Sequence, residues 1–378
     1  MNGKLVPKVS MTVCAMKTPG DVSDVARALD GPVNPAAVIA IIAKSEGSGL
    51  HNDYARAFAE QSLRAALAQA RRCSLDDIAD DVSFIVSGGT PGVISPHATL
   101  VTQEWVDPAE AEGLSGPGLA VGRAHTSPIL PEEIGRIGQI DKVAAAVDEA
   151  RRAAGIENAS DVHLVIAKGP ALTQRTIGEA RRRGATVVTE DTGIGPMGSM
   201  CWSNDAAALG IAVALGEVDA TDVDNSVVRS NWDLYSSVAL ASSGGEKERG
   251  EVLVLGNRPD SASSIRIGHG LTADFADTGG IVRALQTAGL DFEVLPTERQ
   301  KDDIVQVFAK FVLPPTPELR GHHITMLDDH ESHHVAKCVG GALVVSVTGK
   351  PPVFISGGER NSHMGPPGAN PVAAVVRR

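Results

Sequence analysis

The stretch Val38–Lys44, VIAIIAK, decides the fold because it returns twice, as VHLVIAK at Val162–Lys168 and as IVQVFAK at Ile304–Lys310. Each copy is an apolar, β-branched run closing on Ala-Lys, the composition of a buried strand with a cationic end. Downstream of each comes a second apolar run that ends in Ser-Gly-Gly, at Val86-Ser87-Gly88-Gly89, Ser242-Ser243-Gly244-Gly245 and Ile355-Ser356-Gly357-Gly358. Helical patterns lie near these landmarks, over Asp53–Cys73, Ile140–Gly155, Asp205–Glu217, Gly280–Leu290 and from His334 onward. Self-similarity of this kind predicts concatenated supersecondary units rather than unrelated domains. The chain therefore reads as α/β, with three homologous units over residues 1–105, 110–250 and 251–378 arranged in pseudo-threefold fashion around a central site. The borders are placed in the Gly/Pro-rich run Gly113–Gly118 and the acidic run Glu246–Glu251.

Composition narrows the function classes. A chain of 378 residues with 43% hydrophobic content has ample material for a core. Its net charge of −12 argues against nucleic acid or an anionic membrane as partner, since both demand concentrated Lys and Arg. The one basic run, Arg181-Arg182-Arg183, reads as a solvated helix face. The four cysteines, Cys14, Cys73, Cys201 and Cys338, show no paired spacing, which predicts reduced thiols and a cytoplasmic location. No apolar stretch approaches bilayer length, and the N-terminal MNGKLVPKVSMTV has no signal-type apolar core, so export is not expected.

One lysine at a strand end reads as a side chain snorkelling to solvent. Three in the same register, each followed by a serine and two glycines, read as a site. Desolvation favours the neutral amine, and a neutral amine is a competent general base near neutral pH. Serine needs such a base before it can act as a nucleophile. The following glycines let backbone amides approach a ligand and donate to a developing oxyanion. Three units would then enclose one pocket suited to a flat ring with alternating carbonyls.

With these residues in view, the sequence resembles the cyanuric acid hydrolase and barbiturase family of ring-opening amidohydrolases. The match is carried by Ala43–Ala57 (AKSEGSGLHNDYARA), Val86–Leu100, Ala207–Val218, Ala239–Lys247, Phe308–Pro314, Arg320–Leu327 and Gly357–Ala374. What the resemblance implies is a Ser-Lys dyad that hydrolyses a cyclic imide, often in a homotetramer. Carried over by position, Ser243 is the nucleophile and Lys168 its base. Lys44, Lys310, Ser87 and Ser356 would bind the ring, with amide donors at Gly88, Gly244 and Gly357. The family also implies a structural divalent cation, Mg or Ca with zinc as a further candidate, near Gly365–Gly368. Its ligands here would be Glu318 and the backbone of Met364, Pro367 and Gly368. The chemistry itself is expected to need no cofactor.

Departures from the family pattern bear on the substrate. The family places one arginine per unit around the ring. Arg56 fits the first, Asn204 stands where the second is expected, and Lys337 takes the third place. Arginine is not interchangeable with asparagine or lysine at a planar bidentate site. The uneven set favours barbituric acid, opened to ureidomalonate, with cyanuric acid as the alternative. A non-catalytic heterocycle receptor would need no nucleophile beside each lysine, and Gly47-Ser48-Gly49 lacks the features of a nucleotide loop. His322, His323, His330, His333 and His334, with Asp328, Asp329 and Glu331, read as an acidic, histidine-rich surface loop rather than a metal site. His97 reads as a loop residue.

Overall fold

The computed structural model describes residues 5–48, 53–78, 80–193, 195–329, 332–358 and 360–378; His330, Glu331 and Gly49 lie outside them. The first unit runs β1 (Val6–Ala15), α1 (Ser23–Leu29), β2 (Val38–Ser45), α2 (Ala55–Arg71), β3 (Ser83–Gly88) and β4 (His97–Val106). Its sheet has the order β1-β4-β2-β3, with β2 and β3 parallel and β4 antiparallel to both of its neighbours. The second unit comprises β5 (Gly118–His125), α3 (Ile137–Ala154), β6 (Val162–Pro170), α4 (Gln174–Arg182), α5 (Ser199–Leu215), β7 (Ala239–Gly244) and β8 (Glu251–Arg258). Its order, β5-β8-β6-β7, is the same topology.

The third unit contains β9 (Ile265–Leu271), α6 (Gly279–Thr287), α7 (Glu298–Asp302), β10 (Ile304–Val312), the short hairpin β11 (Glu318–Leu319) and β12 (His322–His323), α8 (Ser332–Thr348), β13 (Phe354–Gly358) and β14 (Pro371–Arg377). Read from β9, the sheet is β9-β14-β10-β13. Three concatenated α/β units therefore share one plan. The second sheet extends to Arg258, because β8 pairs antiparallel with β5 and β6. A border at residue 250 divides that unit: the Glu246–Glu251 run, polar enough to read as a linker, is the connection from β7 into the returning strand β8.

Side-chain alternation along the strands explains how the units meet. On β2, Ala40 and Ile42 point into a shared central core, whereas Ile41 and Ala43 pack outward with Leu63 and Leu67 of α2. On β6, Leu164 and Ile166 point inward, as Phe308 does on β10. That core draws on all three sheets, and Ile42, Ile166 and Phe308 are fully buried. Each such side chain contributes about 1.5–3 kcal/mol by leaving water. Helices cover the outer faces. Between α3 and β5 the approach is so close that a Cβ on Gly122 would lie 1.8 Å from the Ala150 carbonyl oxygen. No helix among the described residues is long and apolar enough to cross a membrane.

Candidate active site

The parity that buries Ala40 and Ile42 continues to Lys44. By the same alternation, Lys168 follows Leu164 and Ile166, and Lys310 follows Phe308, so all three lysines sit on the inner faces at one end of the central core. Lys44 is 0% exposed, Lys168 2% and Lys310 1%. Lys44 Nζ donates to Ser87 Oγ at 3.0 Å and to the Gly88 carbonyl at 2.9 Å. Lys310 Nζ donates to Ser356 Oγ at 3.3 Å and crosses to the Ala241 carbonyl of the second unit at 3.0 Å.

The second unit departs from this pattern by one residue. Strand register sets Lys44 opposite Ser87 and Lys310 opposite Ser356, but sets Lys168 opposite Ser242. Ser242 follows Leu240 on the inner face, while Ser243 takes the alternate face of β7, toward α5, where its Oγ donates to the Met200 carbonyl at 3.2 Å, and both residues still line the pocket. Lys168 Nζ reaches Ser243 only at the carbonyl oxygen, at 3.3 Å, which repeats the contact of Lys44 with Gly88. Ser243 thus occupies the place of Gly88 and Gly357, and Gly244 the place of Gly89 and Gly358. Aligning the Ser-Gly-Gly tripeptides misses this, because a doubled serine fits the motif in two phases that differ by one residue and hence by one face. Ser242 Oγ is buried and, among the described residues, has no hydrogen-bond partner.

Around the inner-face pairs lies a pocket walled by all three units. Arg56 of α2, Asn204 of α5 and Lys337 of α8 all line it, one from each unit. Ser87, Gly88, Lys168, Ser243, Lys310, Ser356 and Gly357 line it as expected, and the buried Lys44 joins it through Ser87 and Gly88. Asn204 Oδ1 is, like Ser242 Oγ, buried and without a hydrogen-bond partner among the described residues. Buried polar atoms are nearly always hydrogen-bonded, so two orphans facing one pocket are suited to a polar ligand.

Sequence reasoning did not single out Ser242, Cys201, Met200 or His333 as lining residues. His333 and His334 belong to α8 rather than to a surface loop, and His334 Nε2 lies 2.9 Å from the Ser48 carbonyl oxygen. His322 and His323 are exposed on β12. His97 begins β4, is fully buried, and lies 3.2 Å from Gln306 Nε2 of the third unit.

Electrostatically the pocket is cationic. Burial, reinforced by Lys337, Lys310, Arg56 and Lys168, pushes the Lys44 ammonium well below the ordinary lysine range. Burial brings Lys310 down to about 8, against opposing pulls from Cys201 and Asp205. Lys168 is also lowered by burial, but Glu246 opposes the fall. Glu246 lies 3.3 Å from Lys168 Nζ and 3.7 Å from Arg56. Burial would raise its carboxyl, yet Lys168 and Arg56 prevail and hold it at about 2. Gly244 makes the space, since a Cβ there would meet the Glu246 carboxylate at 2.2 Å.

The cation ligands implied by the resemblance show no gathered carboxylate cage. Glu318 pairs with His323 on the β11–β12 hairpin and is exposed. Met364 is buried, with its sulfur accepting from the Ala241 amide, and Gly365 and Gly368 take positive φ in the following turn beside Pro367. Among the described residues no three His, Cys, Asp or Glu side chains gather as a metal site.

The family described as "Amidohydrolase ring-opening protein" matches residues 10–377. A cyclic amide hydrolase from Pseudofrankia inefficax is 64% identical over 98% of this chain and 95% of its own. Barbiturase 1 from a Nocardioides species is 42% identical over 94% of this chain and 95% of its own. Among solved structures, a cyanuric acid hydrolase described as an evolutionary innovation by structural concatenation aligns with a TM-score of 0.91 at 36% identity, covering 99% of this chain and 100% of that one.

Proposed function

The chain belongs to the ring-opening amidohydrolases and is a hydrolase acting on cyclic amides; from that premise we propose that it opens barbituric acid to ureidomalonate through a serine-lysine dyad. The carrying observation is the uneven lining of a threefold pocket. Three lysine-serine pairs repeat, but Arg56, Asn204 and Lys337 differ in charge and shape. A ring with a methylene in place of one N–H matches such a lining better than a ring with three equal edges.

In this reading neutral Lys168 accepts the serine proton as Oγ attacks a ring carbonyl carbon. The second unit supplies the nucleophile, and we assign Ser242 rather than the tripeptide's Ser243, because Ser242 shares the inner face with Lys168. Backbone amides at Gly88, Ser243 and Gly357 hold the carbonyl oxygens, the one at the attacked carbon stabilising the oxyanion. Collapse breaks the C–N bond, and the Lys168 ammonium returns its proton to the departing nitrogen. Water then cleaves the acyl-enzyme, freeing the serine and the ring-opened acid. No step passes through a metal, and a cation at the Gly365–Gly368 turn would serve structure alone.

Cyanuric acid is the second reading, favoured by the threefold repeat of the lysine-serine pairs. Steady-state turnover of both rings by purified protein decides between them. Turnover confined to cyanuric acid overturns the substrate assignment, and turnover of neither overturns the catalytic reading in favour of a heterocycle receptor.

A further inference from the structure

The three strand-end lysines are equivalent by register but not by partner. Among the described residues, Lys168 alone of the three forms an ion pair with a carboxylate, and that carboxylate is Glu246. β7 ends at Gly244, and Glu246, two residues on, turns back over the position where a Cβ is missing. From the first unit, Arg56 approaches the same carboxylate. Glu246 therefore joins Lys168, the base of the proposed dyad, to Arg56, which lines the pocket from another unit. Among the described residues, the hydrogen bonds of Lys44 and Lys310 go to hydroxyl and carbonyl oxygens.

We propose that Glu246 is the positioning third member of a Ser242–Lys168–Glu246 relay, present in the second unit and lacking in the other two. The proposal rests on Lys168 being the base. An amine without a counter-charge, fully buried among cations, would shed its proton readily but hold poorly the proton that it takes from serine. Glu246 remedies this. When the Ser242 O–H bond breaks, the proton goes to Lys168 Nζ and the new ammonium forms beside an ionised carboxylate. The carboxylate stays ionised throughout, and the same proton leaves on the ring nitrogen as the C–N bond breaks. A base aligned by a third group is the general logic of activated nucleophiles. It also supplies a physical reason for one dyad among three to perform the attack while Ser87 and Ser356 remain clamps.

The groups facing Lys168 are Glu246, Arg56 and Lys247, with Lys44 and Lys310 at longer range. Glu246 is the one that favours its ammonium form. Steady-state pH profiles of wild type, Glu246→Gln and Glu246→Asp, on both barbituric and cyanuric acid and alongside thermal unfolding, test the proposal. Glu246→Gln is expected to lower kcat about tenfold or more and to move the acid limb of kcat/KM to lower pH. Glu246→Asp, which keeps the charge, should hold that limb closer to wild type and recover part of kcat. An acid limb that stays in place in Glu246→Gln, whether activity is intact or falls only in step with Tm, overturns the relay. If Glu246→Gln does not fold, Glu246→Asp is read alone: a lowered kcat with the acid limb shifted part of the way to lower pH supports the relay, and a wild-type kcat with an unshifted limb overturns it. Wild type inactive on both rings would instead remove the functional reading beneath.

Discussion

Lys168 and Ser242 face each other across the parallel β6–β7 pair, whereas Lys168 touches Ser243 only at its carbonyl oxygen, 3.3 Å away. One residue of register separates an inner-face hydroxyl from an outer-face one. Ser242→Ala is accordingly expected to reduce kcat by roughly 10³-fold or more, while Ser243→Ala stays within about tenfold of wild type. Parallel assays of the two alanine variants, with trapping of the acyl-enzyme by mass spectrometry, check this. The reverse order of effects would return the nucleophile to Ser243.

The protonation of Lys168 sets the acid side of the pH profile. A base must be neutral, so kcat/KM should rise with pH through the lowered pKa of Lys168 and level off above it. Lys310 adds a stability consequence of defined sign. Its folded pKa of about 8 lies below its ordinary value of 10.5, so the folded state binds fewer protons between those values. Its contribution is fully present above pH 10.5 and is lost as pH falls toward 8. Lys310→Met should flatten that part of the stability profile, as read by denaturant unfolding at several pH values.

Asn204 stands where the resemblance implies an arginine, and its Oδ1 is buried without a hydrogen-bond partner among the described residues. Asn204→Arg is expected to shift the ratio of kcat/KM for cyanuric over barbituric acid upward by roughly tenfold. Competition assays with the two rings measure that ratio directly. A fall in both rates with an unchanged ratio would show that Asn204 does not discriminate between them.

Between the first two units, Glu251 accepts the Phe84 amide at 2.8 Å and pairs with Lys247 at 2.5 Å, while Lys247 also reaches Glu60 of α2 at 3.3 Å. Both partners of the Glu251–Lys247 pair are nearly buried. Removing Glu251 leaves the buried Phe84 amide without its acceptor and Lys247 with the longer Glu60 contact as its ion pair. Glu251→Ala should therefore destabilise the fold by about 3 kcal/mol, read from urea unfolding. Asp80→Ala, which removes only an exposed partner of Arg249, should change stability by less than about 1 kcal/mol.

Much of this protein was legible in its sequence. The Ala-Lys strand ends and the Ser-Gly-Gly run ends announce three units around one pocket, and the three helices that carry Arg56, Asn204 and Lys337 do bring them to it. These features are local: an apolar run forms a buried strand, and a repeat that recurs in sequence recurs in space. What only the tertiary structure decided is relational. The doubled serine satisfies the motif in either phase, so the facing hydroxyl depends on which carbonyls and amides β7 shares with β6. β8 belongs to the second unit because its hydrogen bonds return to β5 and β6, though its flanking residues read as a linker. His97 is buried because the third unit closes over it. Glu246 lies 78 residues from Lys168 in the chain, and its 3.3 Å ion pair exists because a cationic, desolvated pocket draws in a carboxylate where Gly244 leaves room.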